Sequence, residues 1–521
     1  MKNKYILSVL LSAGLLSGTV SCKKDFLDRN PLNSVSSQIF WASEDDVKTG
    51  LAGVYSRLQQ NFLGYERIYL DGITDNAFLL AGNGNQNNLP LFATGGINAG
   101  LTGALPNFFS TPYRAISSCN YFLDNVDKAP VSEALKNGYK AEVRFIRALA
   151  YFDLVQAFGG VPLYRNYLEK LDDYKIAKST KEEVYAFIEE DLDFAIANLP
   201  DIKYNGHAVK GSAQGIKARV LVTQQKWAQA VPLLEQIMST ATGKFGLSNN
   251  FAALFKTSGQ SNAAVNIEIM FATQYLAPNN PHRTSPGASG LNIEFGRDIL
   301  IQPYKDLVDD YEMTDGKPAS ESILFNPLNP YANRDPRLDL TVKLPGEIWR
   351  NSSGTAFAPP AVPATGFLVE KYVDVAQGPF TAASATTTDQ DIIHLRYADI
   401  LLMYAEAKNE VLATPDASIY NAINLVRGRT GINMPPVDQV KYNTQAKLRD
   451  YIRHERRVEF AFEGQRYNDL KRWNIAHIKL PTLKDPANTP LVFELKNYVL
   501  PFPSSELSNN PQLEQNPDYI N

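Results

Sequence analysis

The stretch RHERRVEFAFEGQRYNDLKRW, residues 453–473, has the clearest fold signal in the chain. Its basic residues alternate with aromatic ones, a pattern that can indicate a nucleic-acid-binding surface. Opposite charges nevertheless recur three residues apart, and such pairs lie side by side on a helix. The pairs are Arg456/Glu459, Glu463/Arg466, Arg466/Asp469 and Asp469/Arg472. Because local acids neutralise the basic residues, we predict that the stretch is part of a helical frame, with a break at Gly464.

The charge of the whole chain also argues against a nucleic-acid partner. Its 521 residues include 51 Lys and Arg and 55 Asp and Glu, for a net charge of -4. Nucleic-acid binders usually have a basic excess, because counterion release supplies most of their non-specific affinity. With 44% hydrophobic and 20% charged residues, the composition is that of a folded protein. We therefore expect a globular protein that binds no nucleic acid.

The first 22 residues, MKNKYILSVLLSAGLLSGTVSC, have the pattern of an export signal. Two lysines precede an apolar run from Ile6 to Leu16, which is too short to span a bilayer as a helix. Small and polar residues then lead to Cys22, which resembles the acylated cysteine of bacterial lipoproteins, although Thr19 stands where Leu is usual. We expect residues 1–21 to be a cleaved signal peptide and Cys22 to be lipidated. Such an anchor holds a protein on a membrane without spanning it.

Helical periodicity dominates three regions, at about 35–60, 110–240 and 390–480. Between residues 139 and 163, apolar residues recur at helical spacing and stop at Gly159 and Gly160, a typical C-cap signal. Thr180 and Glu183 predict a capping box at the start of the next helix. SAQGIKARVLVTQQKWAQAVPLLEQIM then predicts two helices with the spacing of a tetratricopeptide hairpin. The fold class is therefore predicted to be mainly α.

Two regions between the helical segments, about 61–113 and 243–390, are rich in Gly, Asn and Pro. This composition predicts turns and loops, and long loops in compact domains are often functional. The chain is thus predicted to be a helical frame with two large irregular insertions.

Familiar catalytic and metal-binding motifs are absent from the sequence. The five histidines have no HExxH spacing and no partnering cysteines, so we expect no metal and no cofactor. There is also no GxSxG elbow. We expect no enzymatic activity. A surface-anchored glycoside hydrolase stays an alternative, because two of the many carboxylates form a glycosidase pair if the fold brings them together.

Ten segments, in their order along the chain, resemble the SusD/RagB family of outer-membrane nutrient-binding lipoproteins. They are CKKDFLD, FWASEDDVKTGLAGVYSRL, AEVRFIRALAYFDLVQAFGGVPL, LVDDYEMTDGKP, YANRDPRL, TGFLVEKY, HLRYADILLMYAEAKNE, AINLVRGRTG, RRVEFAFEGQRYNDLKRW and LPFPSSEL. The resemblance implies a single SusD-like domain over residues 22–521, with four tetratricopeptide-like helix pairs packed against an irregular loop-rich half. It also implies a surface-exposed lipoprotein of the outer membrane that caps a TonB-dependent SusC-like transporter and delivers oligosaccharide to it.

The resemblance places ligand recognition on the variable loops. Sugars need flat aromatic faces for their C–H groups and planar polar groups for their hydroxyls. The ligand-binding candidates in these loops are Tyr65, Asp75, Asn76, Phe78 and Phe92 in the first region, and Tyr275, Arg283 and Trp349 in the second.

Two other binding functions stay open on the same architecture. Some members of the family serve peptide uptake, so the ligand is either a glycan or a peptide. A scaffold protein that binds partner peptides is a further alternative. It predicts ligand contacts on the concave face of the helices, whereas the glycan reading predicts them on the loops.

Overall fold

The computed structural model describes residues 40–80, 87–282, 290–381 and 388–520. Two predicted functional residues, Cys22 and Arg283, and the predicted signal peptide at residues 1–21 lie outside these ranges. Helices dominate the regular structure, and the prediction of a mainly α fold is confirmed.

The longer α-helices of the described residues form the frame, and the shorter ones lie mostly in its connections. The helices are α1 (Glu44–Tyr55), α2 (Ala104–Asn125), α3 (Glu133–Phe158), α4 (Lys181–Asn198), α5 (Lys210–Thr223), α6 (Trp227–Ser239), α7 (Thr257–Gln260), α8 (Ala263–Asn266), α9 (Leu291–Gly296), α10 (Lys305–Asp310), α11 (Arg337–Thr341), α12 (Tyr397–Val411), α13 (Ala417–Arg427), α14 (Gln445–Phe460), α15 (Arg466–Arg472), α16 (Ala476–Lys479) and α17 (Ser504–Asn509).

The long helices pack in chain order. Each of α2 to α5 contacts the helix that follows it, and α6 contacts α12 across the intervening loop-rich half. Helix α12 in turn contacts α13 and α14. The helical frame is therefore continuous although about 150 residues of loop-rich chain, from 243 to 390, interrupt it in sequence. Assignment of these pairs to the tetratricopeptide class stays a prediction.

Side-chain caps fix where several of these helices begin. The Thr180 side chain accepts a hydrogen bond from the Glu183 N–H, and the Glu183 carboxylate accepts one from the Thr180 N–H at 2.8 Å. This is the predicted capping box of α4. Four other helices begin with a side-chain oxygen that accepts hydrogen bonds from N–H groups of the first turn. The capping residues are Ser43 for α1, Ser132 for α3, Asp416 for α13 and Thr444 for α14. Such caps satisfy N–H groups that have no partner inside the helix.

Helix α2 begins at Ala104, a few residues before the predicted start of the frame at about 110. The segment contains Pro106, which lies in the first turn, where its missing N–H costs no hydrogen bond. Pro112 lies inside the same helix. The Gly- and Asn-rich composition that predicted the loop region does not mark the residue at which the helix begins.

The strands are short and pair two by two. They are β1 (Ala77–Leu79), β2 (Ile269–Thr273), β3 (Ile301–Pro303), β4 (Val342–Lys343), β5 (Trp349–Arg350), β6 (Ala356–Phe357), β7 (Leu368–Val369) and β8 (Ile392–Arg396). The antiparallel pairs are β1–β3, β2–β8, β4–β7 and β5–β6. Both strands of the β2–β8 pair are buried along their whole length, so this pair joins the loop-rich half to the frame.

Residues 453–473 form the end of α14, a turn and α15, and most of their charged side chains are buried. The Glu459 carboxylate binds Arg396 at 2.6 Å and Arg337 at 2.9 Å, and it also binds Arg429. Arg337 and Arg396 come from the loop-rich half and from the end of β8, so the pairs join distant parts of the chain. The prediction that this stretch is frame is confirmed.

The predicted partners of these charges were mostly wrong. Four pairs were predicted at three-residue spacing. Among the described residues, Asp469 and Arg472 form an ion pair at 2.8 Å, and the other three predicted pairs do not form. Arg466 instead binds Asp75 at 2.7 Å, and Arg456 binds Asp399 at 2.7 Å. The reason is burial, because side chains enclosed by the loop-rich half pair with whatever charge faces them across the contact.

Gly464 lies in the turn between α14 and α15 at a position that only glycine fits. Its φ is +70°, and its N–H donates to the Asp71 carboxylate at 2.8 Å. A Cβ at this position would lie 2.5 Å from the Arg67 carbonyl oxygen. The predicted break at Gly464 is therefore confirmed, and the turn packs directly on the first loop region.

Candidate functional site

An open cleft of about 890 Å³ lies where the helical frame meets the loop-rich half. We call it the junction cleft. Its lining combines aromatic and amide side chains from both halves. Lining residues include Lys48, Tyr55, Gln59, Tyr139, Glu142, Asn205, His207, Gln274, Tyr275, Leu276 and Asn280. A cleft of this volume is within the usual range for ligand sites.

A hydrogen-bonded group of three side chains forms the frame side of the cleft. The Tyr55 hydroxyl donates to the Glu142 carboxylate at 2.5 Å, and His207 Nδ1 lies 2.8 Å from the same carboxylate oxygen. The Ala208 N–H donates to the Tyr55 hydroxyl, which fixes the loop before α5. Hydrogen bonding to Glu142 raises the pKa of His207. The side chain of His207 is 59% exposed, so its outer edge faces the cleft.

The opposite wall is a turn at residues 274–280 that follows β2. The Tyr275 N–H donates to Asp391 at 2.9 Å and the Ala277 N–H donates to Asp389 at 2.8 Å. Backbone hydrogen bonds between Leu276 and Asn280 close the turn. Two carboxylates from one segment therefore hold the turn in place from behind.

Tyr275 connects this turn to the first loop region. Its hydroxyl accepts a hydrogen bond from the Tyr65 N–H at 3.1 Å, and the Tyr65 ring stacks on His282 with centroids 4.9 Å apart. Tyr65 and Tyr275 are 3% and 7% exposed. The structure therefore brings these two predicted residues together, with Tyr275 in the cleft lining and Tyr65 beneath it.

The rim of the cleft supplies exposed planar amides. Gln274 and Asn280 are exposed, and Gln59 donates its side-chain N–H to the Gln274 carbonyl oxygen at 2.7 Å. Amide groups both donate and accept, which is what ligand hydroxyl groups require. Glu142 is the one carboxylate among the described residues of the lining.

Asp75 and Asn76 lie in the core, away from the cleft lining. Both are fully buried, and Asp75 binds Arg466 and Arg457. Burial by itself raises the pKa of Asp75, but the two guanidinium groups outweigh it and hold the pKa below its usual value. Asn76 accepts a hydrogen bond from Arg457 and donates one to Asp71. Both residues join the first loop region to α14, and Asp75 also joins it to α15.

The remaining candidates with described positions are aromatic and mainly buried. Phe92 is 1% exposed, and Phe78 lies half-buried on β1 opposite Gln302 of β3. Trp349 is 5% exposed, and its indole N–H donates to the Glu370 carboxylate. Its ring packs against Phe357, with centroids 5.7 Å apart, in the β5–β6 hairpin. The hairpin holds Trp349 apart from the junction cleft lining.

Two models of known protein families together match most of the chain. The family model described as "SusD family" matches residues 268–519, and a second model, described as "Starch-binding associating with outer membrane", matches residues 25–222. The chain belongs to the SusD/RagB family.

Individual relatives of this SusD/RagB chain match over most of its length. SusD-like protein P25 of Formosa agariphila is 26% identical, with 98% of each chain covered. The starch-binding protein SusD of Bacteroides thetaiotaomicron is 24% identical, with 78% of this chain and 76% of that protein covered. A crystal structure of a SusD-like carbohydrate-binding protein from Bacteroides fragilis is 29% identical. It covers 91% of this chain with a TM-score of 0.77.

Sequence reasoning missed most of the junction cleft in this SusD/RagB chain. It placed the ligand on the loops, whereas Tyr55, Tyr139 and Glu142 lie on α1 and α3. These residues occupy ordinary helical positions, and nothing in their spacing shows that they face the turn at 274–280. Only Tyr275 was predicted, from its position in a Pro- and Asn-rich segment.

Two features are absent from the described residues of this SusD/RagB chain, a helix that could span a membrane and a cluster of metal-binding side chains. Within residues 40–80, 87–282, 290–381 and 388–520, no helix has the length and apolarity to cross a membrane. The same ranges contain no cluster of three or more His, Cys, Asp or Glu side chains arranged for a metal ion.

Proposed function

We propose that this protein is a non-catalytic, surface-exposed glycan-binding lipoprotein of the outer membrane that delivers its ligand to a TonB-dependent SusC-like transporter. The observation that supports it most is the junction cleft, since it is an open site with aromatic walls and exposed amides on a SusD/RagB fold. Relatives named as starch-binding and carbohydrate-binding support a glycan as the ligand.

The lining of the junction cleft favours binding over hydrolysis. A glycosidase uses two carboxyl groups that flank the scissile bond. Among the described residues, the lining contains Glu142 alone, and that carboxylate already binds Tyr55 and His207. The Tyr55 and His207 rings, 5.4 Å apart, form one wall against which a sugar ring packs.

The location rests on the N-terminal sequence and on the family description. Acylation of Cys22 would attach the protein to the outer membrane, and the polar segment after it would act as a tether. Substitution Cys22→Ala is expected to move the protein from the membrane fraction to the soluble fraction. Membrane retention of this variant would contradict the lipid anchor.

The experiment that tests the site uses variants of its exposed rim. Affinity gels first compare how much starch, laminarin, xylan, mannan and pectin each slow the wild-type protein. The polysaccharide that slows it most is then the probe for the variants. Gln274→Ala and Asn280→Ala remove ligand-facing amides without touching the core, so both are expected to weaken binding. Gln229→Ala removes an exposed amide of α6 and is the matched control. Equal binding by all three variants would contradict a site in the junction cleft.

A further inference from the structure

A second open cleft, of about 950 Å³, lies on the helical side of the molecule. We call it the tyrosine cleft. Its walls come from α2, the segment at 162–175, and the C-terminal segment that contains α17. Residues of its lining include Phe109, Tyr113, Arg114, Tyr164, Tyr174 and Asn509. It shares no lining residue with the junction cleft.

Three tyrosines, of which Tyr164 contacts the other two, form one side of this cleft. The ring centroids of Tyr113 and Tyr164 are 5.5 Å apart, and those of Tyr164 and Tyr174 are 5.2 Å apart. All three side chains are half-buried, so part of each ring faces the open volume. Buried Phe109 and Ile116 lie on α2 at the base of the cleft.

Hydrogen bonds fix the orientation of these rings before any ligand arrives. The Tyr113 hydroxyl donates to the Pro162 carbonyl at 2.8 Å, and the Tyr164 hydroxyl donates to the Tyr174 carbonyl at 2.7 Å. The Tyr174 hydroxyl accepts a hydrogen bond from the Leu168 N–H at 3.3 Å. Rings held in this way lose little conformational entropy when a ligand packs on them.

The polar groups around the tyrosines are planar or hydroxylic, and their charges balance. Arg114 and Asn509 are exposed, and their side chains form no hydrogen bond or ion pair with the described residues. Lys175 binds Asp172 at 2.7 Å, which leaves Arg114 and the half-buried Glu506 as the opposite charges of the lining. This balance favours a neutral ligand over an acidic one.

The walls of the cleft argue against a peptide that binds as an added β-strand. Peptides that add to a sheet need a free strand edge, and none of the eight strands among the described residues contributes to this lining. Fixed aromatic faces with neighbouring amide and guanidinium donors match the C–H faces and hydroxyl groups of a sugar instead.

We propose that the tyrosine cleft is a second carbohydrate-binding site, which takes a neutral segment of the same glycan that the junction cleft binds. The class of ligand in this inference rests on the proposed function. The location of the site rests on the residues that line the tyrosine cleft. Two sites on one chain bind a long polymer more tightly than either site alone, because the second contact becomes intramolecular.

Isothermal titration with neutral hexasaccharides of starch, laminarin, xylan and mannan tests this site. The variants are Tyr174→Ala, which removes a ring, and Leu171→Asp, which places a charge at a rim position that is 85% exposed. Tyr174→Phe keeps the ring and loses only the hydrogen bond of 3.3 Å from the Leu168 N–H. Leu495→Asp changes an exposed leucine that, like Leu171, begins a short 3₁₀ helix, so both variants are matched controls. Thermal denaturation verifies that each variant is folded.

We expect about two saccharide molecules per wild-type chain and about one per chain for Tyr174→Ala and Leu171→Asp, with the controls like wild type. Retardation in polysaccharide gels should fall in the same two variants. A single site that neither variant changes would overturn this inference and leave the proposed function intact. A single site lost in Tyr174→Ala and kept in Asn280→Ala would support the tyrosine cleft and contradict the junction cleft.

Two further outcomes would overturn the inference in other ways. Wild-type protein that binds none of the saccharides would contradict both this site and the proposed function. Peptides from a protein digest that bind wild type and not Tyr174→Ala, without any saccharide binding, would show that the cleft takes peptide instead.

Discussion

Glu459 shows how single residues hold this fold together. Its carboxylate is fully buried and binds three arginines that come from different parts of the chain. Burial by itself raises the pKa of Glu459, but Arg429, Arg396 and Arg337 outweigh it and hold the pKa below its usual value. The carboxylate is therefore charged in the native state and neutralises guanidinium groups that have no access to water.

We expect Glu459→Gln to lower the free energy of unfolding by about 3–5 kcal/mol, because removal of one partner leaves buried positive charge uncompensated. The exposed Glu182 is the matched control, and Glu182→Gln should change stability by less than about 0.5 kcal/mol. Urea denaturation of the three proteins at neutral pH measures both effects. Equal stability of Glu459→Gln and wild type would refute the structural role of this network.

We expect the fold to be sensitive to acid, because other buried carboxylates also pair with arginines. In Asp75 and Glu455, neighbouring arginines outweigh the effect of burial and lower the pKa, to about 2 for Glu455. A carboxyl group whose pKa is lower in the native state contributes stability above its unfolded-state pKa, which is near 4. That contribution is lost as the pH falls through the native-state value.

The free energy of unfolding of wild type should therefore decrease steeply between about pH 4 and pH 2. Asp75→Asn should be less stable than wild type at pH 7 and should lose less stability over this acid range, since one of the titrating groups is gone. Asp173→Asn, at an exposed position, should follow wild type. If the free energy of unfolding fell equally with pH in Asp75→Asn and wild type, Asp75 would not contribute to the acid sensitivity.

At the level of elements, the turn between α14 and α15 joins the two halves. We expect Gly464→Ala to destabilise the protein by about 1–3 kcal/mol, since its positive φ disfavours any side chain and a Cβ would strike the Arg67 carbonyl. Gly138 lies within α3 with open space around it, so Gly138→Ala should stabilise by about 0.5–1 kcal/mol. Thermal denaturation compares the two, and a stabilising Gly464→Ala would show that the turn is not constrained.

The long elements were predictable because each has a local signal. The periodic apolar face of α3, the capping box at Thr180 and the break at Gly464 are each encoded by residues that lie close together in the sequence. Burial and tertiary partners have no such signal. The ion pairs of Arg456 and Arg466 reach Asp399 and Asp75, which are distant in sequence, so spacing alone assigned them to the wrong neighbours.

At the scale of the whole molecule, the family and the mainly α fold followed from many weak motifs in a fixed order. The junction cleft did not, because it forms between α1, α3 and a turn that lie far apart in the chain. Loop aromatics such as Phe92 and Trp349 were predicted from composition, which does not distinguish a ring that faces solvent from one that packs into the core. Two clefts with separate linings suit a protein that holds a long polymer.

The most direct measurement is affinity electrophoresis of residues 23–521 through gels that contain starch, laminarin, xylan, mannan or pectin, with the size of each glycan measured after incubation. We expect at least one glycan to slow the protein and the chain length of that glycan to stay unchanged. Shortening of the glycan by pure protein would contradict non-catalytic binding. Failure of every glycan to slow the protein, with binding of a peptide mixture instead, would contradict the glycan as ligand.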